Sequence, residues 1–265
     1  MKANRAIWSG SVSFGLVNIP VRLYSAVDDR AVKFHFLHGK DKSPVRYAKI
    51  CREEEREIPY SEIVRGYEYE KGEFVVVTEE DFIRANPKKT KTIDIIDFCE
   101  EKQIDAMYYE KPDYLEPDKG ADKAYSLLRQ ALDESGKVGI SKFVLRSKEN
   151  LAMIKPHGKI LIAYQMRFDE EVRNPSSLHV PKTATQPREL EMALNLIEQL
   201  TKDFDPKNYR DTYTDELEAM IQAKLKGKVV RMGKAEPQGA KVHDLMALLK
   251  KSLKDPKKKA NKKTG

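Results

Sequence analysis

The stretch AIWSGSVSFGLVNIPVRLYSA, Ala6–Ala26, decides how the rest of the chain is read. Trp8, Gly10, Val12 and Phe14 fall on one side of a period of two, and Ser9, Ser11 and Ser13 fall on the other. That alternation belongs to a half-buried β-strand, because successive side chains of a strand point to opposite faces. The apolar run then continues through a glycine (Gly15) and a proline (Pro20). Proline inside a sheet is confined to ends, bulges and unpaired edges, so each marks a place where a strand bends or stops pairing.

Working outward, the first two-thirds of the chain read mostly as strands. EFVVVT (Glu73–Thr78) is a short run of buried type, and KTIDIIDF (Lys91–Phe98) carries Ile and Phe on both faces. VGISKFVLRS (Val138–Ser147) and NLAMI (Asn150–Ile154) follow, and KPHGK (Lys155–Lys159) has the Pro and Gly of a hairpin turn. In ILIAYQMRF, the residues Ile160, Ile162, Tyr164, Met166 and Phe168 alternate onto one face. So many strands with few helices between them favour an antiparallel barrel or sandwich over βαβ units.

One helix interrupts them, with a stripe of Ala121, Ala124, Tyr125, Leu128 and Leu132, Asp118 placed to cap its start and Gly136 to end it. The C-terminal third changes period. Leu190, Ala193, Leu194, Ile197, Leu200 and Phe204 recur at helical spacing. Asp205 and Pro206 break that helix and open a second, running from Tyr209 through Tyr213, Leu217, Met220, Ile221 and Leu225 to Gly227. A third amphipathic stretch carries Val242, Leu245, Met246, Leu249 and Leu253, before the lysine-rich end PKKKANKKTG.

The formal charge of +7 is unevenly spread. Residues 222–265 hold 14 basic against 3 acidic groups, whereas residues 1–221 are net −4. Residues 51–135 are net −10 and 191–221 net −5, so a polyanion would be drawn to the tail and to selected faces only. No apolar run reaches the ~18 residues of a membrane span, and the N-terminus lacks the order of a signal peptide. With Cys51 and Cys99 as the only cysteines, far apart, neither a disulfide framework nor a zinc site is expected, and the reading is a cytosolic protein without membrane partners. No catalytic constellation emerges and no cofactor is expected. There is no GxxxxGK[ST] loop for ATP, and the five histidines form no ligand pair. Asp94 and Asp97, with Glu79, Glu80 and Asp81, are the nearest approach to a nuclease metal site, but alternating acids are the usual wet face of a strand.

Five segments in register resemble one family. They are IWSGSVSFGLVNIPVRLYSA, IVRGYEYEKGEFVVVTEEDF, YYEKPDYLEPDKGADKAYSLLRQAL, MRFDEEVR and FDPKNYRDTYTDELEAMIQAKLKGK. Together they resemble bacterial Ku, the DNA end-binding proteins of non-homologous end joining. The resemblance implies an α+β chain: an antiparallel β-barrel core over residues 1–187 with an extended bridge segment at about 28–72, a helical C-terminal arm (188–227) and a basic tail (228–265). It also implies a homodimer whose two bridges close a ring around double-stranded DNA, and recruitment of the ATP-dependent DNA ligase D through the arm. Trp8 to Tyr24 would then be the first barrel strands.

Binding to a break of arbitrary sequence calls for phosphate contacts from Lys and Arg, which carry no base information. The bridge, by resemblance, supplies Lys33, Lys40, Lys42, Arg46, Lys49 and Arg52, with Arg65 beyond them. Lys250, Lys251, Lys254, Lys257, Lys258, Lys259, Lys262 and Lys263 form a second electrostatic site in the tail. If half of these meet phosphates, the slope of log K against log salt steepens by roughly 3 to 4 units. A basic architectural protein that coats duplex DNA anywhere is the competing reading.

Overall fold

The computed structural model describes residues 5–85, 91–146, 148–182 and 184–227. The chain divides into two compact units, Met1–Asp29 with Phe34–Pro175, and Arg30–Lys33 with Ser176–Gly265.

The first unit is built on a closed barrel of seven strands. β1 (Trp8–Phe14) and β2 (Val17–Ser25) form a hairpin about Gly15, whose φ of 59° is left-handed. A separate two-stranded sheet, β3 (Arg65–Glu70) and β4 (Glu73–Val77), precedes the short helix α1 (Glu79–Ala85). The barrel then resumes with β5 (Thr92–Glu100), β6 (Tyr109–Pro117), helix α2 (Asp122–Ser135), β7 (Lys137–Leu145), β8 (Lys148–His157) and β9 (Ile160–Met166). Around the barrel the order is β1-β2-β6-β9-β8-β7-β5, antiparallel throughout except where β1 meets β5 in parallel and closes the circle.

The closure is short. Ser11, Val12 and Ser13 pair with Thr92, Ile93 and Asp94, and the Ser11 N–H donates to the Lys91 carbonyl at 2.8 Å. Ser11 therefore turns its backbone away from β2, and Pro20, which sits opposite it, turns its nitrogen away from β1. On that side Pro20 stands in register with Asp118, one place beyond the first β2–β6 ladder pair, Val21 with Pro117, and its carbonyl accepts the Asp118 N–H at 2.9 Å. The proline therefore ends the β2–β6 ladder: the Asp118 carbonyl, which it has no N–H to meet, accepts from the Ala121 N–H instead.

Inside, Val12, Ile19, Val21, Leu23, Ile93, Leu115, Phe143, Ile154 and Leu161 form the main core, completed by Tyr125, Leu128 and Leu132 from α2. The helix lies across the barrel end at which β6 stops and β9 starts. There the Tyr125 hydroxyl donates to the Leu115 carbonyl at 2.6 Å and accepts from the Leu161 N–H at 2.6 Å. Replacing Tyr125 with Phe leaves both backbone groups buried and unpaired, and a loss of about 2 kcal/mol is expected by denaturant unfolding. α2 ends as expected at Gly136, with φ of 62°. Its start differs from expectation: Ala121 is the N-cap, and Asp118 caps only the preceding turn, accepting from the Lys119 N–H while its carbonyl takes the Ala121 N–H.

Three strand expectations need correction. The inward face of β9 is Leu161 and Ala163, whereas Tyr164 and Met166 point outward into a second cluster with Val138, Met153, Ile104 and Tyr109. The β5–β6 connection covers that outer face, held by Arg167 donating to the carbonyls of Met107 (3.1 Å) and Tyr109 (2.6 Å), so both faces of β9 are apolar and alternation alone does not say which one faces the barrel core. Phe168 lies beyond the strand. In KPHGK only Gly158 and Lys159 turn, and Lys155 to His157 continue β8. EFVVVT is a strand but not a buried one: Phe74, Val75 and Val76 are 60%, 51% and 53% exposed, because among the described residues β4 pairs with no strand but β3.

The second unit holds α3 (Pro187–Leu200) and α4 (Thr212–Leu225). Asp211 caps α4, accepting from the Thr214 N–H at 3.1 Å and from its hydroxyl, and these bonds hold the Asp211 carboxyl below the usual range. Arg30 pairs with Asp215 at 3.2 Å. Both helices are shorter than their sequence pattern. Phe204 lies past the end of α3 and stacks on Tyr209, itself before α4, with ring centroids 5.5 Å apart. The α3 stripe is not a core: Leu190, Leu194, Ile197 and Leu200 are all more than half exposed.

Candidate nucleic-acid interface

Between β2 and β3 the chain runs for almost forty residues without a strand, and from Ala26 through Val77 no residue is buried. What shapes this segment is local. Leu37 bridges to Pro44 around a first turn, and Ile50 bridges to Glu57 around a second. In the first turn the Asp41 carboxylate organises the backbone, accepting from the Ser43 N–H (3.0 Å), the Ser43 hydroxyl (2.8 Å) and His38 Nδ1 (3.0 Å). The Ser43 bonds, with His38 adding to them, hold the Asp41 carboxyl below its ordinary range. Lys42 takes a left-handed φ of 61° here and its Nζ donates to the Gly39 carbonyl.

The basic residues expected to meet phosphate do not stand alike. Lys40 and Lys42 share the first turn, where Asp41 is the only acid. Lys49 lies between the turns with Nζ 4.7 Å from the centre of the exposed Tyr60 ring, and it makes no ion pair among the described residues. Arg46 is paired with Glu57 at 3.6 Å. Arg52 makes no ion pair among the described residues, but it opens the second turn beside Glu53, Glu54 and Glu55, whose field repels a phosphate. Arg65 is held at the start of β3 by Glu79 (3.7 Å) and lies over the Phe82 ring (5.0 Å). Lys33 belongs to the second compact unit. The eight tail lysines, and the third amphipathic stretch, lie outside the described residues. The uncompensated charge of the segment is therefore concentrated at Lys40, Lys42 and Lys49.

Sequence reasoning passed over a set of exposed aromatics on the same segment. Phe36 and Tyr47 meet edge to face at 6.2 Å, and Tyr67, Tyr69 and Phe74 stand 58–66% exposed on the β3–β4 hairpin. The available signal was their density in a stretch whose two turns are too polar to bury them. Three of the acids considered as metal ligands have other partners. Asp81 caps α1, accepting from the Thr78 N–H and hydroxyl at 2.9 and 2.7 Å, while Glu79 pairs with Arg65 and Glu80 with Arg84. Asp94 and Asp97 are exposed on β5. Among the described residues no group of three or more His, Cys, Asp or Glu side chains could hold a metal ion, and no helix is long and apolar enough to cross a membrane.

A family profile described as the Ku70/Ku80 beta-barrel domain matches residues 13–193. The chain is 44% identical to the non-homologous end joining protein Ku of Opitutus terrae, over 94% of its own length and 91% of that protein's. It is also 42% identical to the protein of that name from Anaeromyxobacter (94% and 85% covered) and 38% identical to that of Archaeoglobus fulgidus (94% and 98% covered). The chain belongs to the Ku family. The Ku profile begins within β1 and runs through the barrel, the extended segment, the β3–β4 hairpin and the first half of α3. α4 lies beyond the profile, but the Ku relatives align over 94% of the chain. The barrel expected from the sequence is thus the Ku barrel, and the extended segment is part of the same matched unit.

Proposed function

We propose that the chain binds the ends of double-stranded DNA without reading their sequence, in non-homologous end joining, and that it does so as a homodimer whose extended segments close a ring around the duplex. The observation that carries this reading is the long segment after β2: rooted in a closed barrel, devoid of buried residues, and bearing uncompensated lysines beside exposed aromatics. An isolated two-stranded hairpin is at best marginal in water, and exposed apolar patches mark interaction surfaces. Covering Tyr67, Phe74, Val75 and Val76 with the equivalent surface of a second copy meets both requirements at once. Lys40, Lys42 and Lys49 then face the enclosed duplex as phosphate contacts, while Arg46, Arg52 and Arg65 chiefly hold the segment's shape.

On this reading the chain acts as a binding protein and not an enzyme, working where duplex ends arise in the cell. Its core runs to about residue 187, its helical arm to 227 and its basic tail to 265. The tail lysines, Lys250 to Lys263, add a second sequence-independent contact. The exposed stripe Leu190, Leu194 and Ile197, in a stretch of net negative charge, suits a protein partner better than DNA, and DNA ligase D is the proposed one. Competition between linear and covalently closed duplex of one sequence tests the reading: a ring captures only the linear form, whereas a coating protein takes both.

A further inference from the structure

Polar side chains inside the barrel are few, and one of them is incompletely paired. The Ser141 hydroxyl donates to the Ala152 carbonyl at 2.9 Å. Asp113, on β6, is 0% exposed; among the described residues its Oδ2 accepts a single hydrogen bond, from Gln165 Nε2, and its Oδ1 has no partner. Its neighbours across the two ladders are Ser25 on β2 and Ala163 on β9, neither of them ionisable. The charged group that bears on it is Lys111, two residues back along β6 and opposite Gln165.

A buried carboxylate with one neutral donor and one bare oxygen is far costlier than the neutral acid in the same place. Burial accordingly pushes the Asp113 carboxyl above its ordinary range, against the smaller opposing effects of the Gln165 hydrogen bond and Lys111. Its position gives this a consequence. Ser25, opposite Asp113, is the last residue of β2, and the next residue, Ala26, donates to the Pro112 carbonyl at 3.2 Å before the chain leaves the barrel as the extended segment.

We propose that Asp113 is carried in the barrel as the neutral acid, and that its ionisation loosens the end of the β2–β6 ladder, so that the root of the extended segment is held in a proton-dependent way. Below the ordinary carboxylate range, folded and unfolded chains are both protonated and Asp113 imposes no penalty. As pH rises the unfolded chain ionises first. The penalty then grows until the folded-state value is passed and stays constant above it.

Hydrogen exchange of the full chain tests this, comparing wild type with Asp113→Asn from below the ordinary carboxylate range, about pH 3, to about pH 9, normalised for intrinsic rates. Peptides covering residues 21–27 and 111–115 of the wild type are expected to lose roughly tenfold in protection relative to the variant as pH rises. A ratio that does not change with pH, or a variant less protected at every pH, would overturn the proposal. Infrared spectroscopy of wild type with isotope-labelled aspartate gives a readout that needs no variant. A protonated-carboxyl band persisting above the ordinary carboxylate range supports the proposal, and loss of every such band within that range contradicts it.

Discussion

Gly10→Ala is expected to cost about 3 kcal/mol of stability, the upper end of what overpacking does, and to lower the midpoint of thermal unfolding by roughly 6 to 12 °C. A Cβ on Gly10 would stand 2.1 Å from the Lys91 carbonyl oxygen and 2.4 Å from Trp8 Cη2. Neither neighbour can yield easily. The Lys91 carbonyl accepts the Ser11 N–H at the parallel β1–β5 junction, and that junction is only three residue pairs long. The Trp8 ring is held by its Nε1 donating to the Val144 carbonyl at 3.1 Å and by an edge contact with Phe143. The substitution therefore pushes apart the one seam that closes the barrel. Calorimetry on the purified variant measures the effect, and an unfolding temperature equal to wild type would mean the seam does not limit stability.

The second large effect belongs to the extended segment. Replacing Lys40, Lys42 and Lys49 together with Gln removes three charges per copy, six in the proposed ring, that have no acidic partner among the described residues, and is expected to reduce the slope of log K against log salt for linear duplex by roughly 5.4 units. Between about 50 and about 200 mM salt that amounts to roughly 1,800-fold less salt-induced weakening than wild type shows. Neutralising Arg46 and Arg65 is expected to change the slope much less, because Glu57 and Glu79 already compensate them at 3.6 and 3.7 Å. Fluorescence titration of a short labelled duplex at several salt concentrations distinguishes the two sets. Equal slopes for both would mean that local ion pairing does not decide which cations meet phosphate.

Much of this architecture was legible in the residues. The alternation of Trp8, Val12 and Phe14, the punctuation at Gly15 and Pro20, and the α2 stripe ending at Gly136 all became the elements they suggest. What misled was burial, because a local pattern reports apolarity without saying what covers it. EFVVVT and the α3 stripe have the composition of core, yet they lie exposed on the single chain. In β9 the reverse holds: a connection from elsewhere in the sequence covers the outer face, so both periods of the strand are apolar. The basic residues of the extended segment were visible as a set. Their ranking was not, because it depends on Glu57 and Glu79, which reach them only through folded contacts.

The central claim is topological: two copies enclose a duplex that can enter only by its end. Competition between one labelled linear duplex and unlabelled DNA of identical sequence, either linear or covalently closed, tests it most directly. The linear competitor is expected to displace the label while the closed circle leaves it bound. Equal displacement by the two would contradict it.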